Sequence, residues 1–307
     1  MKIAFIMDPL DKVKAYKDTT YFLMLAAHDR GHEVYYLDHR DILIHDQRVM
    51  SRVNRVDVHA DIDKPFTIHP QIFLDLGEMD LVFVRTDPPV DRTYTYMTLL
   101  LDLLPDTTRV INRPSAIRDW NEKLAALMYA SFAPISLIAR RADDIVSFLN
   151  EHGRIVLKPL DGHGGEGILF LSKGDKNIEQ SIGEITHQQS RWIKVQKYLP
   201  QAADGDKRIL LLHGEPLGGI LRLHADGVEL NNLDAGGTAH PAELDECDLE
   251  ICAAIKEGLI ENGVVFSGID VIGGKLIEIN VTSPTGLQEL CKFSGQDYHH
   301  EIIASLE

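Results

Sequence analysis

The chain has 307 residues, 44% of them hydrophobic and 25% charged, which supports a large core and excludes a disordered chain. Its formal net charge is −16, so the basic footprint of a nucleic-acid-binding protein is absent. The charge is uneven: residues 1–200 carry 25 basic and 28 acidic side chains, whereas residues 201–307 carry 6 and 19.

Residues 2–7 form an apolar run of strand length, closed by Asp8. That run is too short for a signal peptide or a membrane span, and no later run reaches about 18 apolar residues. A helix is expected from about Tyr16 to Gly31, on the apolar positions Phe22, Leu23, Leu25 and Ala26, with Gly31 as its stop. Glu33 to Leu37 reads as a second strand, which completes a unit of βαβ size. Leu81 to Val84 is a further buried strand, ended by the turn at Asp87-Pro88-Pro89. Residues 94–104 read as helix and Arg109 to Asn112 as a short strand. Ser115 is a candidate cap for the helix holding Asn121-Glu122-Lys123-Leu124. A domain boundary is placed near residue 113.

Further along, residues 143–152 and 177–187 are helical, and strands are expected at 155–157, 168–171 and 192–198. The last third alternates strands at 208–213, 217–223, 269–272 and 275–279 with a long helix near 245–262. The three cysteines, Cys247, Cys252 and Cys291, form neither a disulfide framework nor a CxxC pair. His299-His300 near the end reads as surface. The chain is expected to be soluble and cytoplasmic, with no nucleic-acid or membrane partner.

Three constellations carry chemistry. The first is Lys158-Pro-Leu-Asp-Gly162-His-Gly164-Gly165-Glu-Gly167-Ile168, a glycine-rich turn between two strands. Its backbone N–H groups are suited to phosphate oxygens, and Lys158 stands at the end of the preceding strand. An ordinary glycine-rich hairpin is the competing reading, since the stretch is neither a P-loop nor a spaced GxGxxG. The second is Gly268-Ile-Asp270-Val-Ile-Gly273-Gly274-Lys-Leu-Ile-Glu278-Ile-Asn280, two strands joined by a Gly-Gly turn. Glu278 and Asn280 share a face, and Asp270 on the partner strand could face the same way, which would make a hard-oxygen set suited to Mg²⁺; a polar, solvent-facing side of a hairpin is the competing reading. The third is Gln196-Lys197-Tyr198-Leu199-Pro200, a strand end whose backbone could read the edge of an adenine. No GxSxG elbow, HExxH or Cys–His nucleophile pair is present.

In this order the motifs resemble those of the ATP-grasp superfamily, and within it the bacterial glutathione synthetase family. The resemblance runs from Met7-Asp8-Pro9 and Lys17-Asp18-Thr19-Thr20 through Arg85-Thr-Asp87, Asn112-Arg-Pro114 and Asn121-Glu-Lys123. It continues through Lys158-Pro-Leu-Asp161-Gly162, Tyr198-Leu199-Pro200, Asp204-Gly-Asp206-Lys-Arg208 and Gly214-Glu-Pro216. It ends at Asp270 and Glu278-Ile-Asn280-Val-Thr-Ser283-Pro-Thr285.

The resemblance implies an α/β fold with an N-terminal open parallel-sheet domain, the pre-ATP-grasp domain. An ATP-grasp domain of two α+β subdomains would follow. The corresponding boundaries are 1–113, 114–200 and 201–307. It further implies that Lys123 and Lys158 contact the phosphates of ATP under a loop holding Asp161, Gly162, Gly164 and Gly165. Gln196, Lys197, Tyr198, Leu199 and Asp206 would complete the nucleotide site. Arg208 and Arg222 would be catalytic. Asp18, Arg85, Asn232, Gly236, Gly237, Ser283 and Thr285 would bind substrate. Asp270, Glu278 and Asn280 would hold Mg²⁺, with Mn²⁺ as a substitute.

The implied reaction is ATP-dependent ligation of a carboxylate to an amine through an acyl phosphate, here γ-glutamylcysteine with glycine. A homo-oligomer, dimer or tetramer, is expected with it. The stretch after Arg222 departs from the family: Leu230 stands where Arg is expected, Thr238 replaces a frequently basic residue, and Asp234 adds a negative charge. A related carboxylate–amine ligase with other substrates, or a nucleotide-binding regulatory paralogue, therefore stays open at this point.

Overall fold

The computed structural model describes all residues except His163, 225–230 and 232–235. Leu230, Asn232 and Asp234 thus lie outside the described residues. Three sheets organise the rest.

The first sheet holds β1 (Lys2–Ile6), β2 (Glu33–Leu37), β3 (Ile42–His45), β4 (Arg48–Val58), β5 (Phe66–Asp75), β6 (Leu81–Val84) and β7 (Arg109–Ile111). Strands β2, β1, β6 and β7 pair in parallel, as the apolar runs 2–7 and 81–84 imply. Sequence reading named no strand between residues 38 and 80. There the structure adds β3, β4 and β5, all antiparallel. In β5 the exposed Ile68, Ile72 and Phe73 mask any alternation, with only Phe66 and Leu74 near its ends packed against cores, whereas β4 buries Val49, Ser51, Val53, Val56 and Val58. Helix α1 (Thr19–Asp29) is capped by the Asp18 carboxylate, which accepts from Tyr21 N, and α2 (Arg92–Leu101) is capped in the same way by Asp91.

Helix α3 (Pro114–Asp119) has no side-chain cap, whereas α4 (Glu122–Ala125) is capped by Asn121, which accepts from Lys123 N and Leu124 N. Asn121, and not Ser115, therefore sets the start of the helical turn that carries Lys123. The second sheet contains β8 (Ser136–Ala139), β9 (Arg154–Pro159), β10 (Leu169–Ser172) and β11 (Ile193–Lys197), in the order β10-β9-β11-β8. Helices α5 (Ala142–His152) and α6 (Ile178–Ile185) cover its far face with a core of its own, built from Ile145, Leu149, Ile155, Leu157, Ile182 and Val195.

The third sheet contains β12 (Asp206–Leu212), β13 (Glu215–Leu223), β14 (Thr238–Ala242), β15 (Phe266–Ile272) and β16 (Lys275–Asn280). Its order is β14-β13-β12-β15-β16. One core joins Ile209, Ile251, Ile255 and Ile269 with Ala116, Trp120, Ala125 and Ala126, so α3 and α4 pack with the third sheet. This core includes α7 (Glu246–Glu261), whose Asp245–Asp248 capping box matches the expected long helix. A further core fuses the first and third sheets, with Phe5, Met24 and Phe83 meeting Leu210, Phe266 and Leu290. Asn112 seals that junction. Its Nδ2 donates to Phe266 O and Val281 O, and its Oδ1 accepts from Val265 N and Phe266 N.

The chain closes with α8 (Leu287–Ser294) and α9 (Tyr298–Ala304). His299, expected at the surface, is 6% exposed and stacks on Phe22 with ring centroids 3.7 Å apart. Burial, with His300 beside it, pushes its pKa down to about 4 from 6.5. The unfolded chain binds that proton more readily, so stability is lost as pH falls through this window. His299→Phe is expected to keep the stacking and to remove an acid-dependent loss on the order of 3 kcal/mol. Urea unfolding of both proteins at pH 7 and at about pH 4 checks this; an identical pH dependence would refute it.

Candidate functional site

The functional side chains converge because strand alternation turns the same faces of two sheets toward one cleft. On β9, Ile155 and Leu157 enter the second-sheet core, while Val156 and Lys158 face the cleft. On β11, Ile193 and Val195 enter that core and Gln196 faces the cleft. From the third sheet come Asp206 and Arg208 on β12, Arg222 on β13, Asp270 on β15, and Glu278 and Asn280 on β16.

The registers are direct: Asp206 lies opposite Arg222, Arg208 opposite Asp270, and Asp270 opposite Glu278. Gly205 immediately precedes β12 at φ +102, and a Cβ there would meet Arg222 O at 2.6 Å, so glycine is required just before Asp206.

Charge in the cleft is matched pairwise. Arg222 binds Asp206 through two hydrogen bonds of 2.7 Å and reaches Asp270 Oδ2 at 2.9 Å. Arg208 binds Asp270 through Nε at 2.5 Å and Nη2 at 3.1 Å. Burial would raise the Asp270 carboxyl, but Arg208 and Arg222 outweigh it and hold the pKa below the ordinary carboxylate range. Burial likewise opposes the Arg222 charge, and Asp270 and Asp206 more than restore it.

A second group surrounds Glu278, whose Oε1 lies 3.6 Å from Lys158 Nζ and 4.0 Å from Lys123 Nζ. Burial is again overcome, so the Glu278 pKa is lowered by these two lysines. Lys123 Nζ also donates to Glu122 Oε1 and to Gly162 O at 2.6 Å. Burial and the nearby Glu278 carboxylate together raise the pKa of Glu122.

Most of the residues expected at the site do meet here. Gly162, Gly164, Gly165, Tyr198, Leu199, Ser283 and Thr285 line the same cleft as the charged set. Gln196 Oε1 is buried there without a hydrogen-bond partner among the described residues. Lys197 does not join, since alternation exposes its side chain and its N–H is taken by Ile135 O at 2.9 Å. Asp161 lines a neighbouring pocket, with Arg191 3.8 Å away.

Asp18 caps α1, and Arg85 is buried behind the cleft, donating to Thr20 Oγ1 at 3.1 Å and Pro284 O at 3.0 Å. Neither lines the cleft, but Arg85 fixes the loop carrying Ser283 and Thr285. Ser283 donates to Asp87 Oδ1 at 2.6 Å, and Thr285 O accepts from Arg208 at 3.2 Å. Gly236 is exposed, and neither it nor Gly237 lines the cleft; Asn232 lies outside the described residues.

Among residues that sequence reading did not assign to the site, Glu122 and Asp87 line the cleft and Lys194 is buried behind it. Lys194 was detectable, because it alternates with Gln196 on β11 and therefore shares its face.

Among the described residues no three His, Cys, Asp or Glu side chains gather as metal ligands. The candidate metal set is two carboxylates and an amide. Asn280 Nδ2 donates to Gly268 O at 3.4 Å, which leaves its oxygen as the group for a cation.

Two family models match the chain. "Prokaryotic glutathione synthetase, N-terminal domain" covers residues 1–118, and "Prokaryotic glutathione synthetase, ATP-grasp domain" covers residues 122–295. Similar curated proteins include the glutathione synthetase of Gloeobacter violaceus, 41% identical over 99% of this chain and 95% of that protein. Another is that of a Nostoc species, 42% identical over 100% and 98%. Among solved structures, D-cycloserine synthetase DcsG superposes with a TM-score of 0.69 at 16% identity, covering 99% of this chain and all of that one. The ATP-grasp ligase PsnB, complexed with a precursor peptide and AMPPNP, gives 0.63 at 17%, covering 99% and 97%. These two likenesses speak for the fold.

The buried ion pairs generate a stability prediction. Asp206→Ala leaves Arg222 only one carboxylate and is expected to destabilise the chain by roughly 3–5 kcal/mol. The double variant Asp206→Ala/Arg222→Met is expected to cost less than the sum of the single variants, read from urea unfolding. Strict additivity would show that the pair carries no coupling.

Proposed function

This chain belongs to the prokaryotic glutathione synthetase family, and from that premise we propose that its cleft is the active site of an ATP-dependent ligase that joins γ-glutamylcysteine to glycine. The observation that carries the reading is the lysine pair Lys123 and Lys158, held on opposite sides of the cleft and focused on Glu278. An ordinary glycine-rich hairpin would need no such pair.

The chemistry follows from charge. The carboxylate of γ-glutamylcysteine is a poor electrophile, because displacement would expel oxide. It attacks the γ-phosphorus of ATP, and ADP leaves. The resulting acyl phosphate is attacked by the amine of glycine, which loses a proton as phosphate departs and the amide forms. No protein nucleophile is required. The chain supplies position and neutralisation of phosphate charge. Lys123 and Lys158 face the phosphates, beneath the loop that begins at Gly162. Arg208 and Arg222, fixed by Asp270 and Asp206, hold positive charge where the acyl phosphate forms. Gln196 Oε1 is a buried acceptor suited to the amino group of adenine, beside Tyr198 and Leu199.

Asp270, Glu278 and Asn280 offer hard oxygens on adjacent strands and fit a divalent cation, Mg²⁺ or in its place Mn²⁺. Asp270, Glu278 and Asn280 would hold such an ion, which would supply positive charge against the charge developing on the phosphates. Ser283 and Thr285 supply polar groups to the acid and amine, with Arg85 and Asp18 supporting that wall from behind. The proposed divisions remain 1–113, 114–200 and 201–307, with α3 and α4 of the middle division packed against the third sheet. No described helix is long and apolar enough to cross a membrane. A cytoplasmic homo-oligomer, dimer or tetramer, accompanies the proposal, and sedimentation reads its size.

Purified protein with ATP, Mg²⁺, γ-glutamylcysteine and glycine is expected to release phosphate in step with glutathione. ATP turnover seen only with other acids or amines would overturn this substrate assignment. Glu278→Gln is expected to lower phosphate release on the order of 10²-fold or more, through loss of charge at the metal set. Unchanged turnover would remove Glu278 from the site.

A further inference from the structure

Lys194 lies in the middle of β11 and is 0% exposed. It stands directly opposite Lys158 in the β9–β11 ladder, so two lysines are cross-strand neighbours on one face, and burial with Lys158 beside it pushes the Lys194 pKa down to about 7. Its Nζ donates to Ile277 O at 2.9 Å and to Lys123 O at 3.2 Å. Ile277 sits where the β15–β16 register shifts between Asp270 and Val271, an irregularity that takes the strand out of its regular ladder.

These contacts cross a boundary. Lys194 belongs to the second sheet, whose core is separate, whereas α4 and β16 pack with the third sheet. One ammonium therefore fastens the backbone of Lys123 and the backbone next to Glu278 to the opposite wall of the cleft. Stability does not account for it, because a buried ammonium beside a second lysine is costly and an apolar side chain of similar length would cost less.

The geometry points to Lys194 as a positioning residue, a buried strut that sets the gap between the two sheets and presents Lys123 and Glu278 to the same phosphate group. The role at the phosphate rests on the ligase reading above; the strut itself does not.

Lys194→Met is the direct test, since Met fills the space and donates nothing. The KM for ATP and the Kd for AMPPNP with Mg²⁺ are expected to rise about tenfold, the loss of charged hydrogen bonds. The KM for glycine stays within about twofold, because the strut fixes the nucleotide walls. Lys194→Gln keeps an N–H donor and is expected to recover most of the ATP affinity. In the absence of nucleotide, hydrogen exchange in segments 122–125 and 275–280 is expected to quicken in Lys194→Met. Thermal melting verifies folding of each variant.

Unchanged ATP constants, an equal rise in every KM, or unchanged exchange would overturn the strut. Failure of both variants to fold would also overturn it, by assigning Lys194 to the fold alone. If wild-type protein neither binds AMPPNP nor releases phosphate, the ligase reading fails, while the exchange measurement still decides the strut.

Discussion

Glu278 sits among ammonium groups, 3.6 Å from Lys158 and 4.0 Å from Lys123, and directly opposite it on the neighbouring strand Asp270 sits between two guanidinium groups. The cleft depends on this matching. A lysine or arginine pulled from water without a partner would lose its charge or unfold the chain. The same lysines and arginines are proposed to face phosphate oxygens, while Asp206, Asp270 and Glu278 keep them charged and in place. The excess of acids after residue 200 gains a local meaning, because Asp206, Asp270 and Glu278 are three of its 19.

Much of the fold was legible because its signals are local. Continuous apolar runs at 2–7 and 81–84 read as parallel strands, and the Gly273-Gly274 turn announced the hairpin that pairs Asp270 with Glu278. The strands β3, β4 and β5 were not legible. In β5 the exposed Ile68, Ile72 and Phe73 hide any buried face, whereas β4 does alternate, with Val49, Val53, Val56 and Val58 buried and one irregularity between Asn54 and Val56 that interrupts the period. The cap of α4 was misread for a related reason. Ser115 and Asn121 are both plausible caps by residue type, and only geometry shows that Asn121 points at the N–H groups of residues 123 and 124.

The site was legible where motif and strand period agreed, as at Lys158, Gln196, Asp270 and Glu278. It was illegible where a side chain works through another group. Arg85 carries a motif yet lies behind the wall it supports, and Asp18 turns its carboxylate to a helix end. Lys197 belongs to a motif but points away by the same alternation that points Gln196 inward. Glu122 lies inside the Asn121-Glu-Lys123 motif without a role of its own being read from it, and Lys194 has no motif. Their importance comes from burial and from the carbonyl or ammonium each one meets, which are properties of the folded chain.

The second sheet has a core closed on itself, while the first and third sheets share one. The links described between the second sheet and its neighbours are polar: Asn121 with Leu160 O, Lys123 with Gly162 O, Lys194 with Ile277 O, and Lys158 with Glu278. Parting such a boundary hydrates few apolar atoms, and apolar hydration is the main source of the heat-capacity rise on exposure. Opening the cleft is therefore expected to raise the heat capacity little, unlike unfolding of the cores on either side.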